Sequence, residues 1–241
     1  PPPSTTDHPP PPSTSHRQTR GPAKTGQPSS TAPRRGRTQP PSHPDNPQAR
    51  LIKQAVELIK QGEVVVYPTD SGYSIGCQMD NKSALEQVCR IRELDKTHNF
   101  TLMCRDVSEL SDYARVDNVA FRILKNNTPG PYTFVFKATK EVPKRLQNPK
   151  RKTIGIRVPD NPIALAILEE LGEPMMSTTL ILPGETTAES DPEAIREQLE
   201  RRVGLIIHGG YLGEHPTTVI DLSEGEVVIL REGSGDISPF V

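Results

Sequence analysis

Cysteine is scarce in this sequence. Cys77, Cys89 and Cys104 are the only three among 241 residues, widely spaced and without a C-x-x-C pair. That excludes a disulfide framework and a zinc site of the usual spacing, and it is the usage expected in a reducing cytoplasm. Long apolar runs are missing as well. No stretch approaches the length that spans a bilayer, and there is no secretory hydrophobic region, so no membrane partner is expected. Apolar residues are almost absent from the first 47 positions, which hold 14 of the 26 prolines with much Ser, Thr and Gly. Such a segment cannot bury enough surface to offset the entropy of ordering its backbone. Residues 1–44 are therefore read as a disordered Pro/Ser/Arg-rich tail, and 45–241 as one domain of a size that suits a single core.

Net charge is −1, but it divides unevenly. The tail carries six Lys/Arg against one acid, Asp7, and the remainder 23 Lys/Arg against 29 Asp/Glu. A mildly acidic domain needs a local basic patch for any role with nucleic acid. Lys144, Arg145, Lys150, Arg151 and Lys152 supply one candidate patch.

Within the domain, helices and strands interleave without strict βαβ order. Asp45 or Asn46 can cap a first helix, whose apolar stripe runs Leu51, Ile52, Ala55, Val56 and Ile59. Val64–Tyr67 reads as a buried strand stopped by Pro68, and Thr69–Gly76 as a small, polar, Gly-containing loop. Further strands are expected at 100–104, 132–138, 153–158, 175–181, 205–207, 217–222 and 227–230. Asn81, Asp117, Asp160 and Asp191 are the helix caps between them. The last strands follow each other too closely for helical crossovers. The pattern predicts an α/β fold with a mixed, twisted open sheet flanked by helices.

Four segments place hydroxyls, cations or glycines at strand ends: Tyr67–Gly76, Thr128–Thr133, Thr153–Asp160 and Arg231–Gly235. Such ends can supply backbone N–H, hydroxyl and guanidinium donors to a phosphate. Arg157 is open between lining such a pocket and pairing with Asp160. Asp70 is expected to cap its own turn, Asp221 to be a structural carboxylate at a strand end, and His208 a structural imidazole. Cys77 and Cys89 are expected in the core.

Together with Arg90-Ile-Arg92, Pro129–Phe134, Met176-Ser-Thr178, Pro216–Asp221 and Arg231-Glu-Gly233, these segments resemble the family of YrdC and Sua threonylcarbamoyl-AMP synthases, most closely its YciO branch. The resemblance runs from about His43 to the C-terminus. It implies a YrdC-like fold with a concave cationic face. It also implies chemistry in which L-threonine, bicarbonate and ATP with Mg²⁺ give threonylcarbamoyl-adenylate for tRNA modification. Displacement at phosphorus needs positioning and charge neutralisation more than acid–base groups. That suits a site of Arg, Ser, Thr and backbone donors without an evident catalytic His. The resemblance assigns Thr69, Arg90 and Arg92 to catalysis and Tyr73, Arg157, Ser177 and Arg231 to substrate or nucleotide, with no protein-held metal. Three places depart from the synthases. Arg90 stands where they carry Lys, Glu93 stands where a Pro usually follows their basic pair, and Ser177–Gly184 replaces their Ala-Asn-x-Ser-Gly loop, putting Leu180, Ile181 and Leu182 where polar groups would be. The expected function is a diverged synthase-like nucleotidyl enzyme that makes or hydrolyses a carbamoyl-adenylate. The alternative is a double-stranded RNA or tRNA-binding module without activity, gripping phosphates through the 144–152 cluster.

Overall fold

The computed structural model describes residues 37–38, 49–95 and 97–241, all within the second of two units into which the chain divides, Pro33–Val241. The tail reading therefore lies outside the described residues, apart from Arg37–Thr38, which form a short strand. The caps expected at Asp45 and Asn46 lie outside them too.

Ten strands form one sheet. In chain order they are β1 (Arg37–Thr38), β2 (Val65–Thr69), β3 (Gly72–Gln78), β4 (Thr101–Met103), β5 (Tyr132–Lys137) and β6 (Thr153–Arg157), followed by β7 (Met175–Thr179), β8 (Leu205–Ile206), β9 (Thr218–Asp221) and β10 (Val228–Arg231). Their spatial order is β1-β8-β2-β3-β7-β4-β6-β5-β9-β10, with parallel and antiparallel pairs mixed as the sequence predicts. Six helices pack on it: α1 (Ala49–Lys60), α2 (Lys82–Arg92), α3 (Val107–Tyr113), α4 (Asn118–Asn127), α5 (Pro162–Leu171) and α6 (Pro192–Leu199). Asn81, Asp117 and Asp191 cap α2, α4 and α6 through their side chains, as expected. At α5 the cap is Asn161 rather than Asp160: the Asn161 side chain accepts from the N–H groups of Ile163 and Ala164.

The Tyr67–Gly76 segment is a hairpin, not a loop. Pro68 sits inside β2 opposite Tyr73 and does not stop the strand. The neighbouring β8 pairs only with Val65 and Val66, so Pro68 leaves no ladder bond unmade on that side. Gly72 turns the chain with φ of 107°, and Gly76 lies so close to β7 that a Cβ would meet the Met176 carbonyl oxygen at 2.7 Å.

Alternation decides what each sheet face meets. One face presents Ile75, Leu102, Phe134, Ile156, Met176 and Ile220, and these are buried with Leu85, Leu110, Leu124 and Ile195 of α2, α3, α4 and α6. On the other face, α1 and α5 cover Val65, Tyr67, Met103, Met175, Leu205 and Ile207. There the apolar supply ends. The continuation of this face is Thr101, Thr133, Thr153, Gly155, Ser177 and Thr179, a carpet of hydroxyls that no helix covers.

Candidate functional site

That uncovered carpet is the floor of a cavity of about 550 Å³, in the range of small-molecule sites. Its lining draws Ser74 from β3, Thr101 from β4, Thr133 and Val135 from β5, and Thr153, Gly155 and Arg157 from β6. Ser177 to Thr179 come from β7, Thr217 and Val219 from β9, and Leu230 and Arg231 from β10. Arg92, His98, Asn99, Phe100, Asn148, Arg151 and Ile181 complete it. Among the described residues, four arginines line this space and no Asp or Glu does.

The four guanidiniums are held differently. Arg157 is 4% exposed and donates to the Ser71 hydroxyl at 2.9 Å and to the Asp70 carboxylate. The partner is Asp70, neither a turn cap nor matched by Asp160, which is exposed. Burial lowers the Arg157 pKa, and Asp70 opposes that shift. Arg151 donates to Asp221 at 2.8 Å and Ser223 at 2.9 Å, so Asp221 is the structural strand-end carboxylate the sequence suggests. Arg92 and Arg231 have no carboxylate within salt-bridge distance among the described residues. Arg92 reaches from the last turn of α2 to the Thr179 carbonyl and to the Thr178 hydroxyl at 3.2 Å, and its buried Nε has no partner. Burial pushes it down to about 10. Arg231 donates only to Thr217, its carbonyl at 2.8 and 3.1 Å, and burial lowers it also. A cation kept partly desolvated without a carboxylate is a ready acceptor of an anionic ligand.

Arg92, Arg157, Ser177 and Arg231, from four distant stretches, therefore meet in one hollow. The other sequence-assigned residues do not line it. Arg90 is exposed on α2 two positions from Arg92, which turns it away by about 200° on a helix of 3.6 residues per turn. Thr69 is buried and donates to the Gly72 carbonyl at 2.6 Å, closing its own hairpin. Tyr73 faces the α6 side. Its hydroxyl donates to the Gly210 carbonyl at 2.7 Å and accepts from the Gly209 N–H at 3.0 Å, and burial pushes it up to about 12. It thereby pins the segment that runs from β8 to β9. The basic cluster divides as well. Arg145 pairs with Asp80 at 2.7 Å, Arg151 turns into the cavity, and Lys144, Lys150 and Lys152 stay exposed. Of the three apolar residues in the 179–184 loop, Leu180 and Leu182 are core residues, at 0% and 5% exposure, and Ile181 lines the cavity. Cys77 is buried and Cys89 partly so, and burial raises both thiols.

Sequence reasoning missed His98, Asn99 and Asn148. His98 Nε2 lies 3.3 Å from the Thr178 hydroxyl, its ring edge-on to Phe100 at 5.2 Å between centroids. Asn148 donates to Asn99 at 3.0 Å, joining the loops before β6 and β4. These residues sit outside regular elements, where periodicity gives no signal. His208, in contrast, lies 3.8 Å from Glu193. No group of three or more His, Cys, Asp or Glu among the described residues is placed to hold a metal. Mg²⁺ favours carboxylate oxygens and water, so this lining does not fit a protein-held Mg²⁺.

The architecture is a mixed α/β fold, one sheet face of which is lined by hydroxyls and edged by four arginines. The family model Sua5_yciO_yrdC, described as "Telomere recombination", matches residues 57–233, and the chain belongs to that family. It is 66% identical over 199 residues to "Uncharacterized protein YciO" of Escherichia coli K12, covering 83% of this chain and 97% of that one. The crystal structure of E. coli YciO matches with a TM-score of 0.82 at 64% identity, over 86% of this chain and all of that one. "Threonylcarbamoyl-AMP synthase" of Vibrio vulnificus strain YJ016 is 30% identical over 186 residues, covering 76% of this chain and 98% of that one. The fold alone is shared with P. abyssi Sua5, solved in complex with L-threonine, at a TM-score of 0.72 and 24% identity over 78% of this chain and 55% of that one. The domain is thus related to threonylcarbamoyl-AMP synthases, and no helix among the described residues is long and apolar enough to cross a membrane.

Proposed function

We propose that the cavity binds a nucleotide through its phosphate and that the protein is a diverged relative of the threonylcarbamoyl-AMP synthases, acting on a carbamoyl-adenylate by making or hydrolysing it. The observation that carries this reading is the pair Arg92 and Arg231, two cations without carboxylate partners among the described residues, on a cavity whose described lining contains no acid. In this reading Arg92 and Arg231 hold phosphate or carboxylate oxygens, and Ser177, Thr133 and Thr217 offer hydroxyls to the remaining polar atoms. Thr133 and Thr217 already share a hydrogen bond of 2.8 Å, and Ser177 is fixed by the Tyr67 hydroxyl at 2.6 Å. Arg157, neutralised by Asp70, shapes the wall. Preorganised donors of this kind stabilise charge that develops at phosphorus without reorganising during reaction. Mg²⁺ enters, if at all, on the nucleotide phosphates as part of the substrate.

Calorimetry with ATP and with AMP, in the presence and absence of L-threonine, tests the binding. Pyrophosphate release that depends on threonine and bicarbonate tests synthesis, and AMP release from the adenylate tests hydrolysis. Failure of ATP, AMP and threonine all to bind at millimolar concentration would sink the reading. A second reading, duplex RNA binding, is supported by Lys150 and Lys152 flanking Arg151 at the cavity rim. A salt-independent affinity for duplex RNA would exclude it.

A further inference from the structure

The cavity lining contains arginines, hydroxyls, amides and apolar groups, and among the described residues of that lining His98 is the one side chain able to take up a proton near neutral pH. Its surroundings set one ring nitrogen against a hydroxyl. Arg92 can only donate, so the Thr178 oxygen accepts from Arg92 Nη1 at 3.2 Å. His98 Nε2 lies 3.3 Å from the same hydroxyl, and in the tautomer with hydrogen on Nδ1 it accepts the Thr178 proton. Phe100 holds the ring edge-on. We propose that His98, as the Nδ1–H tautomer hydrogen-bonded to Thr178, is the proton acceptor of this site and is brought into use when an anion occupies Arg92.

Two charged groups act on the imidazole among the described residues. Burial of His98 lowers its basicity most, the Arg92 cation on α2 lowers it further, and Asp95 in the following loop opposes both. Thr178 on β7 and Phe100 before β4 carry no charge. An anion bound at Arg92 offsets that cation and raises the basicity of His98. The group is therefore a weak base in the empty site and a stronger one once the ligand is seated. In the reaction considered above, the step is a transfer from a bound nucleophile. An N–H bond of the substrate ammonium, or an O–H bond of an attacking water, breaks. The Thr178 oxygen takes that hydrogen as its own hydroxyl proton passes to Nε2, and the imidazolium returns a proton to solvent. General-base help of this kind contributes roughly 10²–10⁴-fold.

The inference rests on the anion-site reading, and the experiment separates the two. The imidazole of His98, assigned by its loss in His98→Gln, is titrated by NMR in the ligand-free protein, in Arg92→Gln, and with saturating AMP. Expected are titration below the ordinary imidazole range in the ligand-free protein and upward shifts in both other samples. Calorimetry on the same samples reports AMP binding independently. AMP that binds without moving His98, or an imidazole that ignores Arg92→Gln, overturns the proton-acceptor role and leaves the anion site standing. Absence of AMP binding instead removes the anion-site reading. In turnover, His98→Gln should lower kcat by at least 100-fold and abolish the acid limb of the pH profile while KM changes less than threefold. Retention of that limb also overturns the proposal.

Discussion

Arg92 and Arg157 line the same cavity, yet replacing each by Met should have opposite consequences. Arg157 is buried against Asp70, so Arg157→Met strands a carboxylate that is 11% exposed at the side chain. Breaking one side of a buried pair costs about 3–5 kcal/mol. At roughly 2–4 °C per kcal/mol for a domain of this size, Tm should fall by about 6–20 °C. Arg92 has no carboxylate to strand, and its guanidinium is partly desolvated for hydrogen bonds to Thr178 and the Thr179 carbonyl. Those bonds and that desolvation oppose each other, so Arg92→Met should alter stability by less than about 1 kcal/mol. Its ligand affinity should nevertheless drop. Losing one partner of a desolvated charge pair costs about 2–5 kcal/mol, or roughly 30- to several-thousand-fold in Kd. Urea unfolding at pH 7 and ATP calorimetry on the two variants give all four numbers. A stable Arg157→Met, or an Arg92→Met that unfolds easily and binds ATP normally, would refute the assignment of one arginine to the wall and the other to the ligand.

Tyr73→Phe removes two hydrogen bonds to Gly209 and Gly210, which at about 0.5–1.5 kcal/mol each lowers stability by about 1–3 kcal/mol. Nucleotide affinity should be unchanged, and a tenfold affinity loss at full stability would return Tyr73 to the substrate. Asp221 is held below the ordinary carboxylate range: burial alone would raise it, but Ser223 and Arg151 together outweigh that. Because the folded value is depressed, its contribution is complete above about pH 4 and fades as pH falls through the folded value. The advantage of the native protein over Asp221→Asn in urea midpoint should therefore shrink on acidification, and growth of that advantage would contradict the ion pair. If duplex RNA binds, changing Lys150 and Lys152 to Ala should reduce the salt dependence by about two phosphate contacts. An unchanged slope places the RNA elsewhere.

The fold was legible where side-chain chemistry repeats. The stripe of Leu51 to Ile59, the caps at Asn81, Asp117 and Asp191, and the β-branched strands at 132–137 and 153–157 are local signals, and the structure follows them. Pro68 and the glycines of 69–76 misled, because a proline is tolerated in a strand wherever its neighbour strand stops short, and that depends on β8, some 140 residues away. Thr69 and Tyr73 sit in a hydroxyl-rich segment but face inward, and the period of two that put Ser74 on the cavity floor put Tyr73 on the opposite face. Arg92 was separable from Arg90 by helical phase alone. His98 was not, because its loop has no period to read.

What makes the hollow a site is the failure of one sheet face to finish its core. Thr101 on β4 and Ser177 and Thr179 on β7 share their strands and sheet face with Met103 and Met175, which α1 and α5 seal, and Thr133 and Thr153 continue the same uncovered face. Apolar residues at those five positions would gain burial at roughly 25 cal/mol per Å² if a further helix covered them. Hydroxyls gain nothing from such cover unless each finds a partner. The carpet therefore favours a small polar occupant over another helix, and the surrounding charge selects its sign. Arg157 and Arg151 arrive already neutralised by Asp70 and Asp221, whereas Arg92 and Arg231 do not. The proposed occupant of this face is consequently anionic, oxygen-rich and no larger than the space above five hydroxyls, and in the same proposal its arrival raises the basicity of His98.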